Sequence, residues 1–110
     1  MLTFVESPAF TKQCMDLWSD AEYSAFQQFL AAQPEVGDVI PGLGGLRKVR
    51  WAAKGRGKRG GARVIYLLLL QPGLIYLFQA YTKGDIADLS PEQKKRLRSA
   101  VEEIKKDHAK

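Results

Sequence analysis

Residues 64–81 read VIYLLLLQPGLIYLFQAY, which is two apolar runs separated by Gln71-Pro72-Gly73. Proline followed by glycine is typical of a tight turn. The continuous apolar run before this turn indicates a strand that is buried on both faces. We therefore predict a β-hairpin with strands over residues 64–70 and 74–81, and strands joined by so short a turn run antiparallel.

Three helices are predicted around this hairpin from their start signals. Serine followed by proline opens the first at Ser7-Pro8 and the last at Ser90-Pro91, because serine caps a helix and proline fits its first turn. A capping box from Ser19 to Glu22 opens the second helix. The first helix is expected to run to about residue 18 and the second to about residue 33.

Two further strands complete the predicted fold, one over residues 2–6 and one over residues 46–53. The stretch 34–45 holds two prolines and four glycines and is predicted to be a loop. The order β-α-α-β-β-β-α predicts a single α+β domain over residues 1–110. In this domain, helices pack against a small antiparallel sheet.

Positive charge is concentrated in the middle of the chain. The net charge is +5, but residues 1–38 sum to −5, and residues 39–84 hold nine lysines and arginines without one acid. A block of like charge with no local counter-charge repels itself and favours an anionic partner, most often a nucleic-acid phosphate backbone. A basic face that is merely solvated is the alternative.

Composition argues against several classes of protein. One cysteine and one histidine rule out an internal disulfide, a cysteine metal cage and mechanisms that need two histidines. The apolar run at residues 64–70 is far shorter than a membrane helix requires, and the first residues lack the pattern of a signal peptide. We therefore expect a soluble cytoplasmic protein with no membrane contact.

The basic centre contains two sequences that imitate nucleotide-binding motifs. Residues 55–60 fit G-x-G-x-x-G, but a dinucleotide site needs a helix after the motif, and here a strand follows. Gly57-Lys58 is followed by Arg59, whereas a P-loop has serine or threonine there to bind magnesium. We predict instead a flexible basic loop between two strands, since glycine lets a backbone approach a ligand closely.

Phosphate contacts are expected from the basic residues of this region, namely Arg47, Arg50, Lys54, Arg56, Lys58 and Arg59. Trp51 and the tyrosines are candidates to stack on bases, which favours single-stranded RNA over duplex DNA. For Trp51, core packing is the preferred interpretation.

A candidate catalytic site follows from the register of the hairpin. With the turn at Pro72-Gly73, Arg63 lies roughly opposite Tyr81 or Lys83, so three polar side chains converge from separate segments. RNA is cut when its 2′-hydroxyl attacks the adjacent phosphate, which requires proton transfer and stabilisation of the developing charge. Arg63 suits charge stabilisation, and Lys48, Lys54 or Tyr81 is the candidate base, since neighbouring cations favour a neutral lysine or an ionised tyrosine. We expect no metal requirement.

The sequence resembles the toxins of the RelE/HigB superfamily, from type II toxin–antitoxin systems, and in particular its HigB-like branch. The resemblance spans nearly the whole chain in the same order, and the block of glycines and basic residues is its most specific part. It is carried by residues 4–7, Leu17 with residues 19–23, and the stretches 37–40, 44–48, 54–61, 63–66, 81–83 and 88–89.

The resemblance implies a RelE-like fold and a ribosome-dependent mRNA endonuclease that inhibits translation. It also implies a cognate antitoxin with a helix-turn-helix domain, so that contact with DNA is only indirect. We expect no cofactor. The arginine that opens the family's central strand corresponds to Arg63, the basic residues of the preceding strand to Lys48 and Arg50, and the lysine after the next strand to Lys83. Some relatives have a further arginine where this chain has Gly84, and some have a tyrosine near the C-terminus, which is absent after Tyr81. The identity of the general base therefore stays open.

A basic RNA- or ribosome-binding module without catalysis is the alternative function.

Overall fold

The structure is a computed structural model that describes residues 2–53, 57–82 and 89–108. Five strands and three helices lie within these residues. In chain order they are β1 (Thr3–Glu6), α1 (Pro8–Leu17), α2 (Asp20–Ala32), β2 (Asp38–Val39), β3 (Arg47–Ala53), β4 (Gly57–Leu69), β5 (Leu74–Thr82) and α3 (Pro91–Asp107). The fold is α+β, as predicted.

The strands form one mixed sheet in the order β1-β5-β4-β3-β2. The predicted hairpin is confirmed, because β4 and β5 pair antiparallel around the turn at Pro72 and Gly73. The prediction of a purely antiparallel sheet is wrong for β1, which runs parallel to β5 with Thr3 opposite Leu74. No tight turn joins these two strands, which are far apart in sequence, so nothing in the local sequence sets their direction.

The N-cap of α1, Ser7, and a residue within the helix, Gln13, bond to β5 beside an irregularity in the sheet. The register of β4 on β5 shifts between Ile65 and Tyr66, as at a β-bulge. Next to this shift, the hydroxyl of Ser7 donates to the carbonyl of Phe78 at 2.7 Å, and the amide of Ala80 donates to Oε1 of Gln13 at 2.7 Å. Side chains thus satisfy backbone groups that a bulge takes out of the ladder.

Two further segments differ from the prediction. The two residues of β2 pair with β3 inside the stretch that was predicted to be a loop. β4 begins at Gly57, so residues 57–62 belong to a strand and not to the predicted basic loop, and Gly57 lies opposite Ala53. Ladder hydrogen bonds come from the backbone and need no apolar side chain, which is why the pairing extends past the apolar run. Residues 54–56 of the predicted loop lie outside the described residues.

Each face of the sheet carries its own apolar cluster. The first cluster lies under α1 and α2 and includes Phe10, Trp18, Phe26, Val64 and Tyr66. The second lies under α3 and includes Leu46, Ile65, Leu67, Tyr81, Leu97 and Val101. Because side chains alternate along a strand, the parity of each residue in β3 and β4 assigns it to the α1–α2 face or to the α3 face.

The helix starts are confirmed. Serine caps all three helices, and the capping boxes Ser19–Glu22 and Ser90–Gln93 are both formed. Over the residues that the structure describes, none of the helices is long and apolar enough to cross a membrane.

Candidate nucleic-acid interface

Two arginines face each other across the centre of the sheet. Arg50 of β3 lies directly opposite Arg63 of β4 in the antiparallel register. Arg63 lies two residues before Ile65 on β4, and Arg50 is directly opposite Arg63, so both lie on the α3 face. Arg50 is exposed there, and Arg63 is half-buried. Arg50 and Arg63 are called the arginine pair below.

No acidic side chain neutralises the arginine pair within the part of the chain that the structure describes. The only ion pair found there joins Arg96 and Glu92, on the exposed side of α3. One hydrogen bond is seen at the pair, from Nη1 of Arg63 to the carbonyl of Gly61 at 3.2 Å. Like charges directly opposite on a sheet are destabilising. This arrangement therefore favours the binding of an anion between the two guanidinium groups.

Tyr81 completes the same row of the sheet. The register places it directly opposite Arg63, which confirms the predicted juxtaposition. Its side chain belongs to the apolar cluster beneath α3, and the residue is only 6% exposed. The phenol is therefore at the margin of the core, next to the arginine pair.

A second row lies one step along the strands. Lys48 of β3 is on the α3 face, two residues from Arg50, and it is exposed. Asp38 of β2 lies directly opposite Lys48 and is exposed too. Opposite charges in such a cross-strand pair attract. Asp38 was not among the predicted site residues, because strand β2 was not predicted and so no register linked this residue to Lys48.

Arg47 is placed apart from these groups, on the α1–α2 face. It lies opposite Tyr66 in the register, and its Nη1 donates to the carbonyls of Glu35 at 3.0 Å and Gly37 at 2.7 Å. These two bonds tie the guanidinium to the segment before β2. Arg47 thus stabilises the segment before β2 and is not part of the group of cations on the α3 face.

Tyr66 bonds to the same segment, which precedes β2. Its hydroxyl donates to the carbonyl of Pro34 at 2.8 Å and accepts from the amide of Gly37 at 2.9 Å. Burial raises the pKa of Tyr66, so the phenol keeps the proton that it donates. A Cβ on Gly37 would come within 2.8 Å of the Tyr66 ring, so the loop passes this ring in close contact. The backbone that leads into Asp38 is therefore fixed on both sides.

The expected core packing of Trp51 is confirmed. Its ring stacks on Phe29 with centroids 4.9 Å apart and lies 5.5 Å from Phe26. Trp51 also has the parity of the α1–α2 face, away from the arginine pair. This tryptophan is thus part of the core and not a platform for bases.

Several predicted site residues fall where the structure gives no side-chain position. Lys54, Arg56 and Lys83 lie outside the described residues, and so do the side chains of Lys58 and Arg59. The described members of the candidate site are Lys48, Arg50, Arg63 and Tyr81, all on the α3 face. No three His, Cys, Asp or Glu side chains among the described residues could hold a metal ion together.

The arrangement can bind phosphate oxygens and stabilise negative charge on them. Two guanidinium groups and one ammonium group present donors from adjacent strands, with a fixed spacing set by the sheet. No protein-family model matches this chain.

Proposed function

We propose that this chain is a cytoplasmic endoribonuclease of the RelE/HigB type, which cuts mRNA on the ribosome and is neutralised by a cognate antitoxin with a helix-turn-helix domain. The proposal rests on one observation, the arginine pair with Lys48 beside it on the α3 face and no acid paired to it among the described residues. Two facing arginines without a paired acid suit the phosphodiester backbone of RNA.

In the proposed mechanism, the arginine pair holds the scissile phosphate. The 2′-hydroxyl of the preceding nucleotide attacks the phosphorus, and the bond to the leaving 5′-oxygen breaks. The phosphate gains negative charge in this transition state, so a guanidinium group stabilises it more than it stabilises the ground state. Lys48, Tyr81 and Lys83 are the candidates for moving the proton from the 2′-hydroxyl to the leaving oxygen.

Replacing Arg63 tests the proposal most directly. We expect Arg63→Ala to lower the rate of cleavage by about 10²–10³, because removing one donor that stabilises transition-state charge typically costs this much. The measurement is single-turnover cleavage of mRNA on programmed ribosomes at saturating enzyme. Saturation separates a loss of rate from a loss of affinity.

The matched control is Arg96→Ala, which removes an arginine from the exposed side of α3. Arg96→Ala should cleave at the wild-type rate. An unchanged rate for Arg63→Ala at saturation would contradict the catalytic role of Arg63. Absence of cleavage by the wild-type protein would contradict the enzymatic proposal itself.

The burial of Tyr81 supports a second candidate function, an RNA- or ribosome-binding module without catalysis. Because the residue is only 6% exposed, its phenol is poorly placed to exchange a proton with a substrate. In that case Arg63→Ala would weaken binding to RNA, and neither it nor the wild-type protein would cut. The same ribosome assay, read together with binding, distinguishes the two functions.

A further inference from the structure

Asp38 and Lys48 form a second polar pair beside the arginine pair. They are directly opposite in the antiparallel register of β2 and β3, so both side chains project from the α3 face. Both residues are exposed. Among the described residues, neither side chain forms a hydrogen bond or an ion pair. One acceptor group and one donor group are thus presented together to solvent.

The distance between the arginine pair and the Asp38–Lys48 pair corresponds to the size of one bound nucleotide. Lys48 and Arg50 are two residues apart on one strand, which is about 7 Å along the sheet. Asp38 is one further strand away, at about 4.8 Å. A nucleotide whose phosphate lies at the arginine pair therefore has its base within reach of Asp38 and Lys48.

The backbone that carries Asp38 is held in place before any ligand binds. Tyr66 bonds to Pro34 and Gly37, and Arg47 bonds to Glu35 and Gly37, at distances between 2.7 and 3.0 Å. Four hydrogen bonds thus restrain three of the four residues that precede β2, namely Pro34, Glu35 and Gly37. A group that is held in its binding position loses little conformational entropy on contact, which favours selectivity.

The chemistry of the pair distinguishes guanine from the other bases. A carboxylate offers two acceptor oxygens and an ammonium group offers donors only. Guanine has an acceptor, O6, next to two donors, N1–H and the N2 amino group, on its Watson–Crick edge. Adenine, cytosine and uracil do not present two adjacent donors there. Single-stranded RNA exposes this edge for recognition.

We propose that Asp38 and Lys48 form a base-recognition subsite that prefers guanine in the nucleotide bound at the arginine pair. Asp38 accepts from N1–H and the N2 amino group, and Lys48 donates to O6. This inference rests on the proposed binding of RNA by the arginine pair. It adds a preference for one base to a site that otherwise contacts only phosphate.

The test measures the binding of 5′-fluorescein-labelled RNA octamers by fluorescence anisotropy at low salt. Each octamer has seven uridines and one central guanosine, inosine or adenosine, and all its riboses are 2′-O-methylated so that it cannot be cut. We expect guanosine to bind about tenfold more tightly than adenosine. Inosine lacks the N2 amino group, so its affinity should fall between the two.

The decisive variant is Asp38→Asn, and the matched control is Asp16→Asn on the exposed side of α1. Removing a negative charge near the arginine pair raises the affinity for every octamer, so the readout is the ratio of guanosine to adenosine affinity. We expect Asp38→Asn to lower this ratio below about twofold, and Asp16→Asn to keep the wild-type ratio. Equal thermal unfolding temperatures for both variants would show that the fold is intact.

The inference fails if the wild-type protein binds all three octamers equally, or if Asp38→Asn keeps the wild-type ratio. Either result leaves the proposed function standing, provided that Arg63→Ala still weakens the binding of every octamer. If the wild-type protein binds none of them, both the inference and the proposed contact with RNA are wrong.

Discussion

At the scale of single residues, the arginine pair implies a conflict between stability and binding. Two guanidinium groups that face each other across β3 and β4 repel in the free protein and attract an anion in the complex. We expect Arg50→Gln to raise the free energy of unfolding by about 0.2–1 kcal/mol at low salt. Urea denaturation in chloride buffer is the measurement.

Added sulfate should reduce this gain, because the anion binds and screens the wild-type pair. The control is Lys95→Gln, which removes an exposed positive charge from α3 and should bring no gain. A lower stability of Arg50→Gln than of the wild-type protein in chloride would show that repulsion between the arginines is not significant.

At the scale of elements, the hydroxyl of Tyr66 connects the sheet to the segment between α2 and β2. Tyr66→Phe leaves the buried amide of Gly37 and the carbonyl of Pro34 without this partner. We expect a loss of about 1–3 kcal/mol in the free energy of unfolding, the usual cost of an unsatisfied buried polar group. The measurement is again urea denaturation.

The matched control is Tyr76→Phe, which removes a hydroxyl that contacts His108 at an exposed site. Its effect should stay within about 0.5 kcal/mol, since water replaces the lost partner. Equal losses for the two variants would contradict the role of Tyr66 as the anchor of this segment.

The elements that local signals specify were predictable from the sequence. The helix starts at Ser7, Ser19 and Ser90 and the β4–β5 hairpin depend on contacts between near neighbours. The parallel direction of β1 was not predictable, because it depends on pairing with β5, which is far along the chain. The strand β2 was not predictable either, because two residues are too few to show an alternating pattern and they lie in a stretch rich in proline and glycine. The site divides in the same way: the turn places Arg63 opposite Tyr81, whereas Asp38 meets Lys48 only through β2.

At the scale of the whole molecule, charge is separated between the two faces of the sheet. The first two helices carry Asp16, Asp20 and Glu22 with one base, Lys12. On the α3 face, the described strands place Lys48, Arg50 and Arg63 with one acid, Asp38. An approaching polyanion is therefore attracted to the α3 face and repelled from the helical pair. In the proposed function, this polarity directs RNA to the side where the arginine pair and the Asp38–Lys48 pair lie.

The fold raises the pKa of three weakly acidic side chains, Cys14, Tyr23 and Tyr66. Burial, with smaller effects of Glu6 and Asp20, raises the pKa of the Cys14 thiol to about 11. Burial and the hydrogen bond to Glu6 raise the pKa of Tyr23, and burial raises the pKa of Tyr66. At alkaline pH the folded chain therefore binds more protons than the unfolded chain.

Stability should decrease on the alkaline side for this reason. The free energy of unfolding falls with rising pH wherever the folded state binds more protons. The contribution of Cys14 is complete below pH 9.0, the pKa of a free thiol, and is lost as the pH rises to about 11. Urea denaturation in reducing buffer between pH 8 and 10.5 should show a constant value to about pH 9 and a decline above it. In Cys14→Ala the decline should begin nearer to pH 10, where Tyr23 and Tyr66 contribute. A stability that rises from pH 9 to 10.5 would mean that these groups ionise more readily in the folded chain than burial allows.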